Sequence, residues 1–310
     1  MHKVTIVGAG RVGETTAQIL AAEELCREVA LLDIREDVPE GVALDVCQTA
    51  PFFEFDSRVT GSNDPQILKG SGLIVVTAGF PRKPGMSRSD VLEANVRIID
   101  EVVDNAVRYA PDAMMLMVTN PVDTLTYRAA QRSGWARGRV FGQAGVLDAS
   151  RMASFIAMET GFSVLDITTI VLGGHGDTMV PLPRFCTVNG IPVSHFLPPE
   201  RMAAIISRTR QGGAEILALR KSSSAYDAPG AAVATMTDAI TNNRRRLLPC
   251  VAVLEGEYGE ADVAMGVPCI LGERGVEAVV ELELNDEERT AFSASVAGVR
   301  QDIGRLKGLS

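Results

Sequence analysis

At 310 residues the chain is long for one hydrophobic core, and 46% hydrophobic content is enough to fill two, so two domains are expected. A net charge of −9 gives no basic surface for nucleic acid or an anionic membrane, and no run of roughly eighteen apolar residues offers a transmembrane span. The cysteines at 26, 47, 186, 250 and 269 are odd in number, scattered and free of any Cys-x-x-Cys pair, which argues for reduced thiols and against a zinc site or disulfide framework. A strand-like segment opening at Lys3 leaves no room for a signal peptide, so the cytoplasm is the expected compartment.

Short apolar runs alternate with helical periods throughout, the pattern of an α/β protein. Val4-Thr-Ile-Val7 is a β-branched strand, followed at once by Gly8-Ala-Gly10-Arg11-Val12-Gly13 and a helix over Glu14 to Leu25. Each glycine has its reason: a tight turn at Gly8, room for a pyrophosphate against the backbone at Gly10, and close helix–strand packing at Gly13. A second strand, Glu28 to Asp33, ends in an acid 20 residues beyond Gly13. Asp33 is placed to accept both ribose hydroxyls and to repel a 2′-phosphate, so NAD is expected rather than NADP, with Arg35 as the one feature pulling the other way. A helix near Pro39 to Thr49 and a strand around Val59 follow.

The buried run Leu73 to Thr77 then delivers the chain into Gly79-Phe-Pro-Arg-Lys-Pro-Gly-Met-Ser-Arg88. Pro and Gly exclude helix and central strand there, and Arg82 and Arg88 carry planar forks of donors suited to carboxylate or carbonyl oxygens. Such a loop, at the carboxyl end of a strand, either closes over a substrate or is a solvated surface loop. Beyond it a helix over Ser89 to Tyr109 carries Asn95 early enough to face the cleft, or simply water. The strand Met114 to Val118 ends in Thr119-Asn120-Pro121-Val-Asp123, where Asn120 either bonds a ribose or substrate hydroxyl or only makes an Asn-Pro turn.

After a short strand near Val140, Gly145-Val-Leu-Asp148-Ala-Ser-Arg151 opens a helix with Asp148 and Arg151 three apart, a spacing usually met in surface salt bridges. A strand over Ile167 to Leu172 leads to Gly173-Gly-His175-Gly-Asp177, where flanking glycines leave an imidazole accessible. Of the three histidines, His2 is terminal and His195 sits in a proline-bounded stretch suited to packing, so His175 is the candidate for proton chemistry. Asp148 is chosen as its carboxylate partner in preference to Asp177, which is near only in sequence. Helices over Arg201 to Arg220 and Gly230 to Asn243, strands over Leu248 to Leu254, Val267 to Leu271 and Val276 to Leu282, and a closing helix over Asp286 to Lys307 read as scaffold. Arg244-Arg-Arg246 reads as a solvated helix cap.

Taken together, Gly8 to Gly13, Ala78 to Arg88, Val118 to Asp123, Gly145 to Arg151 and Gly173 to Asp177 resemble the lactate and malate dehydrogenases, and within them the lactate-dehydrogenase-like malate dehydrogenases of bacteria, in order and spacing nearly end to end. The resemblance implies a Rossmann doubly wound parallel sheet over 1–143 that binds NAD, followed by an α+β substrate domain over 144–310. It implies that Gly8, Gly10, Arg11, Val12, Gly13, Asp33, Asn95, Val118 and Asn120 serve the cofactor. His175 would be the acid–base residue and Asp148 its partner; Arg151 would clasp the first carboxylate, Arg88 polarise the carbonyl, Arg82 hold the second carboxylate, and Asn120 also touch substrate. The implied reaction is NAD-dependent oxidation of malate to oxaloacetate, in the tricarboxylic acid cycle, by a homodimer or homotetramer with no metal. A lactate dehydrogenase on the same fold, with a neutral residue wanted at 82, is the nearest alternative, and an NAD-sensing protein without turnover the more distant one.

Overall fold

The computed structural model describes residues 1–80 and 88–306, and for residues 88–90 the backbone alone. Along the described chain run β1 (Lys3–Val7), α1 (Arg11–Ala22), β2 (Glu28–Leu32), α2 (Val38–Gln48), α3 (Ala50–Phe53), β3 (Arg58–Ser62), β4 (Leu73–Val76), α4 (Arg88–Tyr109), β5 (Met114–Met117), α5 (Val122–Ser133) and β6 (Val140–Gln143). The second half adds α6 (Gly145–Thr160), the short strands β7 (Ile167–Thr168), β8 (Val171–Leu172), β9 (Val180–Pro181), β10 (Thr187–Val188) and β11 (Ile191–Pro192), then α7 (Pro199–Arg220), α8 (Asp227–Thr241), β12 (Arg246–Glu255), β13 (Ala261–Gly272), β14 (Gly275–Val279) and α9 (Asp286–Leu306).

Six parallel strands lie in the order β3-β2-β1-β4-β5-β6, so the winding direction reverses between β1 and β4. Ligands bind in such open sheets at the carboxyl ends of the strands flanking that reversal, which here are Val7 and Val76. The strands are apolar throughout because both faces are covered. Leu73, Val75, Met114 and Leu116 pack to one side, whereas Ile74, Val76, Met115 and Met117 pack to the other.

The sheet does not stop at β6. Antiparallel pairing of Val251 with Gly142 and Cys250 with Gln143 extends it through β12, β13 and β14, giving nine strands in one sheet. A strand expected over Ile167 to Leu172 is in fact two pieces in different sheets: β7 pairs with β10, and β8 with β9. The break falls at Thr169, whose hydroxyl turns aside to the Ala149 carbonyl at 2.7 Å. Arg244 to Arg246 are exposed, as a solvated cap would be, but they lie past the end of α8 at Thr241: Arg244 reaches back to Asp238 at 2.6 Å, Arg245 pairs with Glu277 at 3.0 Å, and Arg246 opens β12. All five cysteines are free thiols, and among the described residues no helix is long and apolar enough to cross a membrane and no His, Cys, Asp or Glu group could hold a metal.

Candidate active site

At the end of β1, Gly8 has φ +108°, and a side chain there would drive its Cβ to 2.6 Å from the Ala78 backbone nitrogen. A Cβ on Gly13 would lie 1.9 Å from the Gly8 carbonyl oxygen, so α1 can start this close to the strand only with glycine. A Cβ on Gly10 would meet nothing within 4 Å, and Gly10 caps α1 without a side-chain acceptor for the first-turn amides of Arg11, Val12 and Gly13, which have no carbonyl partner within the helix. That cradle fits a pyrophosphate, which takes both the free amides and the helix dipole. Arg11 is exposed, with its guanidinium 5.3 Å from the centre of the Tyr226 ring, so the turn is tied to the segment just before α8.

Asp33 follows β2 on the same edge. Burial raises its pKa, but hydrogen bonds from Arg35 and from the Ala9 amide outweigh this and hold it below the ordinary carboxylate value. The Ala9 N–H donates to Oδ2 at 2.8 Å, and Arg35 donates its backbone N–H at 2.9 Å and its guanidinium at 3.0 and 2.8 Å. The carboxylate is thus ionised and oriented, but Arg35 occupies the lone pairs that a ribose would use.

Across the reversal, the ends of β4 and β5 are bound together. The Thr119 hydroxyl donates to the Ala78 carbonyl at 2.6 Å. Asn95 is 1% exposed, and its side chain is spent on backbone: the carbonyl accepts from Phe80 N–H at 2.6 Å while the amide donates to the Asn120 carbonyl at 2.8 Å. Its position at the cleft is therefore that of a brace between two loops. Val118 is half-buried behind it, and Asn120, joined to Pro121 by a cis peptide bond, is exposed on the cleft edge. Arg82 lies outside the described residues, and Arg88 is described only as the first backbone position of α4.

The second half brings the acid–base candidates together. Asp148 sits in the first turn of α6 with its side chain 2% exposed. One oxygen meets His175 Nδ1 at 2.8 Å; the other accepts from Arg151 Nη1 at 3.1 Å. Because a carboxylate can only accept, this contact assigns the proton to Nδ1 and leaves Nε2 to face the cleft. Burial lowers the His175 pKa, yet the Asp148 charge and hydrogen bond, helped by Asp123, overcome that and raise it. Arg151 is 12% exposed, and its Nε has no partner among the described residues. Gly212, in the middle of α7, lies against its stem: a Cβ there would stand 3.2 Å from Arg151 Cδ.

Three residues that the sequence did not single out hold the His175 loop. Gly173 exchanges backbone hydrogen bonds with Gly266 of β13 at 2.9 and 3.2 Å. The Gly174 N–H donates to Ser295 Oγ of α9 at 2.8 Å, and the His175 N–H donates to Asp123 Oδ2 of α5, also at 2.8 Å. Asp123 was visible only as the last residue of a turn motif; nothing in the spacing marks its contact with a residue 52 positions away. His195 is exposed on the surface beside Phe196, away from this cluster.

The chain thus holds a cradle for a dinucleotide, a buried imidazole–carboxylate pair and an arginine with donors to spare, the set that hydride transfer from an α-hydroxy acid requires. Residues 2–142 match the model of the lactate/malate dehydrogenase NAD binding domain, and residues 145–308 that of the lactate/malate dehydrogenase alpha/beta C-terminal domain. The chain is 65% identical over 307 residues to a malate dehydrogenase of Thioalkalivibrio sulfidiphilus, covering 99% of this chain and 100% of that protein. Among solved structures it is similar to malate dehydrogenase from Salinibacter ruber, with a TM-score of 0.95 at 43% identity over 99% of this chain and 98% of that one. It is also similar to lactate dehydrogenase from Cryptosporidium parvum complexed with lactic acid and nicotinamide adenine dinucleotide, with a TM-score of 0.95 at 35% identity over 99% and 98% of the two chains. The chain belongs to the lactate/malate dehydrogenase family.

Proposed function

We propose that the chain is an NAD-dependent malate dehydrogenase, interconverting (S)-malate and oxaloacetate. The observation that carries the chemistry is the His175–Asp148–Arg151 cluster, with its contacts of 2.8 and 3.1 Å. NAD, when bound, supplies the hydride acceptor. In the oxidation, His175 Nε2 takes the proton from the C2 hydroxyl as the hydride leaves C2, and Asp148 stabilises the imidazolium that results. In the reduction the same nitrogen returns that proton. Arg151 binds the C1 carboxylate with two parallel hydrogen bonds, which sets the orientation of C2. Arg88 stabilises negative charge developing on the C2 oxygen, Arg82 takes the second carboxylate, and Asn120 bonds substrate and the nicotinamide ribose.

Malate rather than lactate is favoured by the names of relatives that share more than half of the sequence, and by the charge at Arg82, which suits a carboxylate and not a methyl group. We further propose a cofactor unit over 1–143 and a substrate unit over 144–310, a place in the tricarboxylic acid cycle in the cytoplasm, and a homodimer or homotetramer. The exposed apolar side chains of Leu44, Phe52 and Phe53 on α2 and α3 favour such an assembly. Oxidation of NADH by the purified protein with oxaloacetate, followed by absorbance, tests the activity; no turnover would refute it. Light scattering that returned the single-chain mass of 33.0 kDa would refute the assembly.

A further inference from the structure

Asp123 is 5% exposed, lies in the first turn of α5 and points one oxygen at the His175 backbone amide, while its other oxygen is buried with no partner among the described residues. A buried carboxylate with a half-empty set of donors is unfavourable unless a nearby positive charge answers it. The charged groups that face His175 from the elements packed around it are Asp148 and Arg151 on α6 and Asp123 on α5; α9 contributes the neutral Ser295, and β13 the backbone of Gly266. Asp177 lies two residues on in the same loop. One carboxylate is already half engaged by Arg151, so Asp148 alone shares its charge between imidazole and guanidinium.

We propose that Asp123 is a positioning residue for the acid–base pair: its carboxylate fixes the His175 backbone amide and places a second negative charge next to that residue, so that the imidazolium, bonded to Asp148 alone, also lies in the field of Asp123. This rests on the reading of His175 as the acid–base group. The coupling is mutual: burial raises the Asp123 carboxyl to about 6, opposed by the His175 amide and charge, and a proton on Asp123 weakens the hold on the imidazolium. As pH falls through that range the site loses one of its two anchoring charges.

Asp123→Asn separates charge from scaffold, because the amide carbonyl still accepts the His175 N–H. The chain has only three histidines, so the ring of His175 can be followed by NMR in labelled protein across pH, whether or not the enzyme turns malate over. The expected result is a fall in the His175 pKa of at least about half a unit, with the acid limb of kcat/KM for malate oxidation moving down by the same amount and the KM for oxaloacetate little changed. A folded variant whose His175 titrates within about 0.2 units of wild type overturns the proposal and leaves Asp123 as a loop anchor only. Asp123→Ser, which keeps a hydroxyl acceptor without charge, carries the same comparison should the amide variant not fold. In the wild type His175 must titrate above the ordinary imidazole value of about 6.5; titration at or below it refutes the proposal without any variant.

Discussion

Asp148→Asn is the most informative change, because the geometry dictates how the new side chain must sit. Its carbonyl will stay on Arg151 Nη1, where Asp148 Oδ1 now accepts at 3.1 Å, so its NH2 faces His175 Nδ1 in place of Oδ2 at 2.8 Å. That group donates, which forces the imidazole proton onto Nε2 and removes the lone pair that must receive the malate hydroxyl proton. The lost charge matters as well: opposite charges about 4 Å apart at an effective dielectric of about 20 interact by roughly 4 kcal/mol, equivalent to about a thousandfold in an equilibrium constant. Burial already lowers the His175 pKa, so without the carboxylate the imidazole will be neutral at neutral pH. Reduction of oxaloacetate needs the imidazolium and should fall about a thousandfold in kcat/KM near pH 7. It should partly recover toward pH 5, since a doubly protonated ring donates from Nε2 whatever its former tautomer. Oxidation of malate needs a free Nε2 and should stay low across the range. The assay is NADH absorbance in both directions as a function of pH, with a thermal melt to show the variant folded. A folded variant that lost less than about tenfold in either direction, or showed no acid recovery in reduction, would refute the assignment of the proton to Nδ1 and with it the proposed role of Asp148.

Other perturbations address parts of the molecule that this one leaves alone. If Arg82 takes the second carboxylate as proposed, pyruvate would set its charge against a methyl group, and leaving a buried charge unpaired costs about 3–5 kcal/mol, so Arg82→Gln should shift the oxaloacetate-to-pyruvate ratio of kcat/KM by well over tenfold; a smaller shift removes Arg82 as the selector. Asp33→Ser should weaken NADH binding and strengthen NADPH binding, because Arg35, now held by Asp33 at 2.8 Å, is released toward a 2′-phosphate; fluorescence titrations giving an unchanged ratio of the two affinities would count against Asp33 as the ribose acceptor. In the turn between β12 and β13, burial raises the Glu257 pKa, but hydrogen bonds from Arg137 at 2.6 and 3.2 Å pull it down to about 2 from 4.5. A depressed carboxyl stabilises the fold above its unfolded pKa and loses that stabilisation as pH falls through its folded one, so Arg137→Gln should cost about 1–2 kcal/mol at pH 7, after discounting for solvent, and almost nothing near pH 2. Denaturant midpoints that differed equally at both pH values would show that the arginine acts by packing alone.

How much of this could be read from the residues depends on whether a feature is local. The parallel strands were legible because burial on both faces writes an unbroken apolar run, as in Leu73 to Val76 and Met114 to Met117. The glycine turn was legible because strand, turn and helix follow one another without interruption, and the clash a Cβ would make at Gly8 or Gly13 leaves no substitute. The split of Ile167 to Leu172 was not, since an apolar run looks the same whether its two ends pair in one sheet or two. Nor was the continuation of the sheet into β12, which depends on pairing across more than a hundred residues.

The site divides along the same line. Asp148 could be chosen for His175 by the need of an imidazole for a buried acceptor, and the structure puts the two side chains in contact. What keeps them there was invisible. Ser295 lies 121 positions from the amide it receives, and Asp123 contacts a backbone N–H, a group every residue but proline possesses and no motif can mark. Asn95 shows the converse. Its place near the start of α4 suggested a side chain looking into the cleft, but its carbonyl and amide are consumed by Phe80 and Asn120, so it acts on the cleft by fixing the two loops that border it. A polar residue that contacts a ligand and one that braces the backbone beside it have the same signature in sequence. They part in three dimensions, where both amide hydrogens of Asn95 are already committed to backbone carbonyls while Arg151 still has donors open. By that criterion Arg151 is the side chain with capacity left for a carboxylate, and a variant that keeps its charge but not its fork, Arg151→Lys, would occupy the place without being able to orient C2.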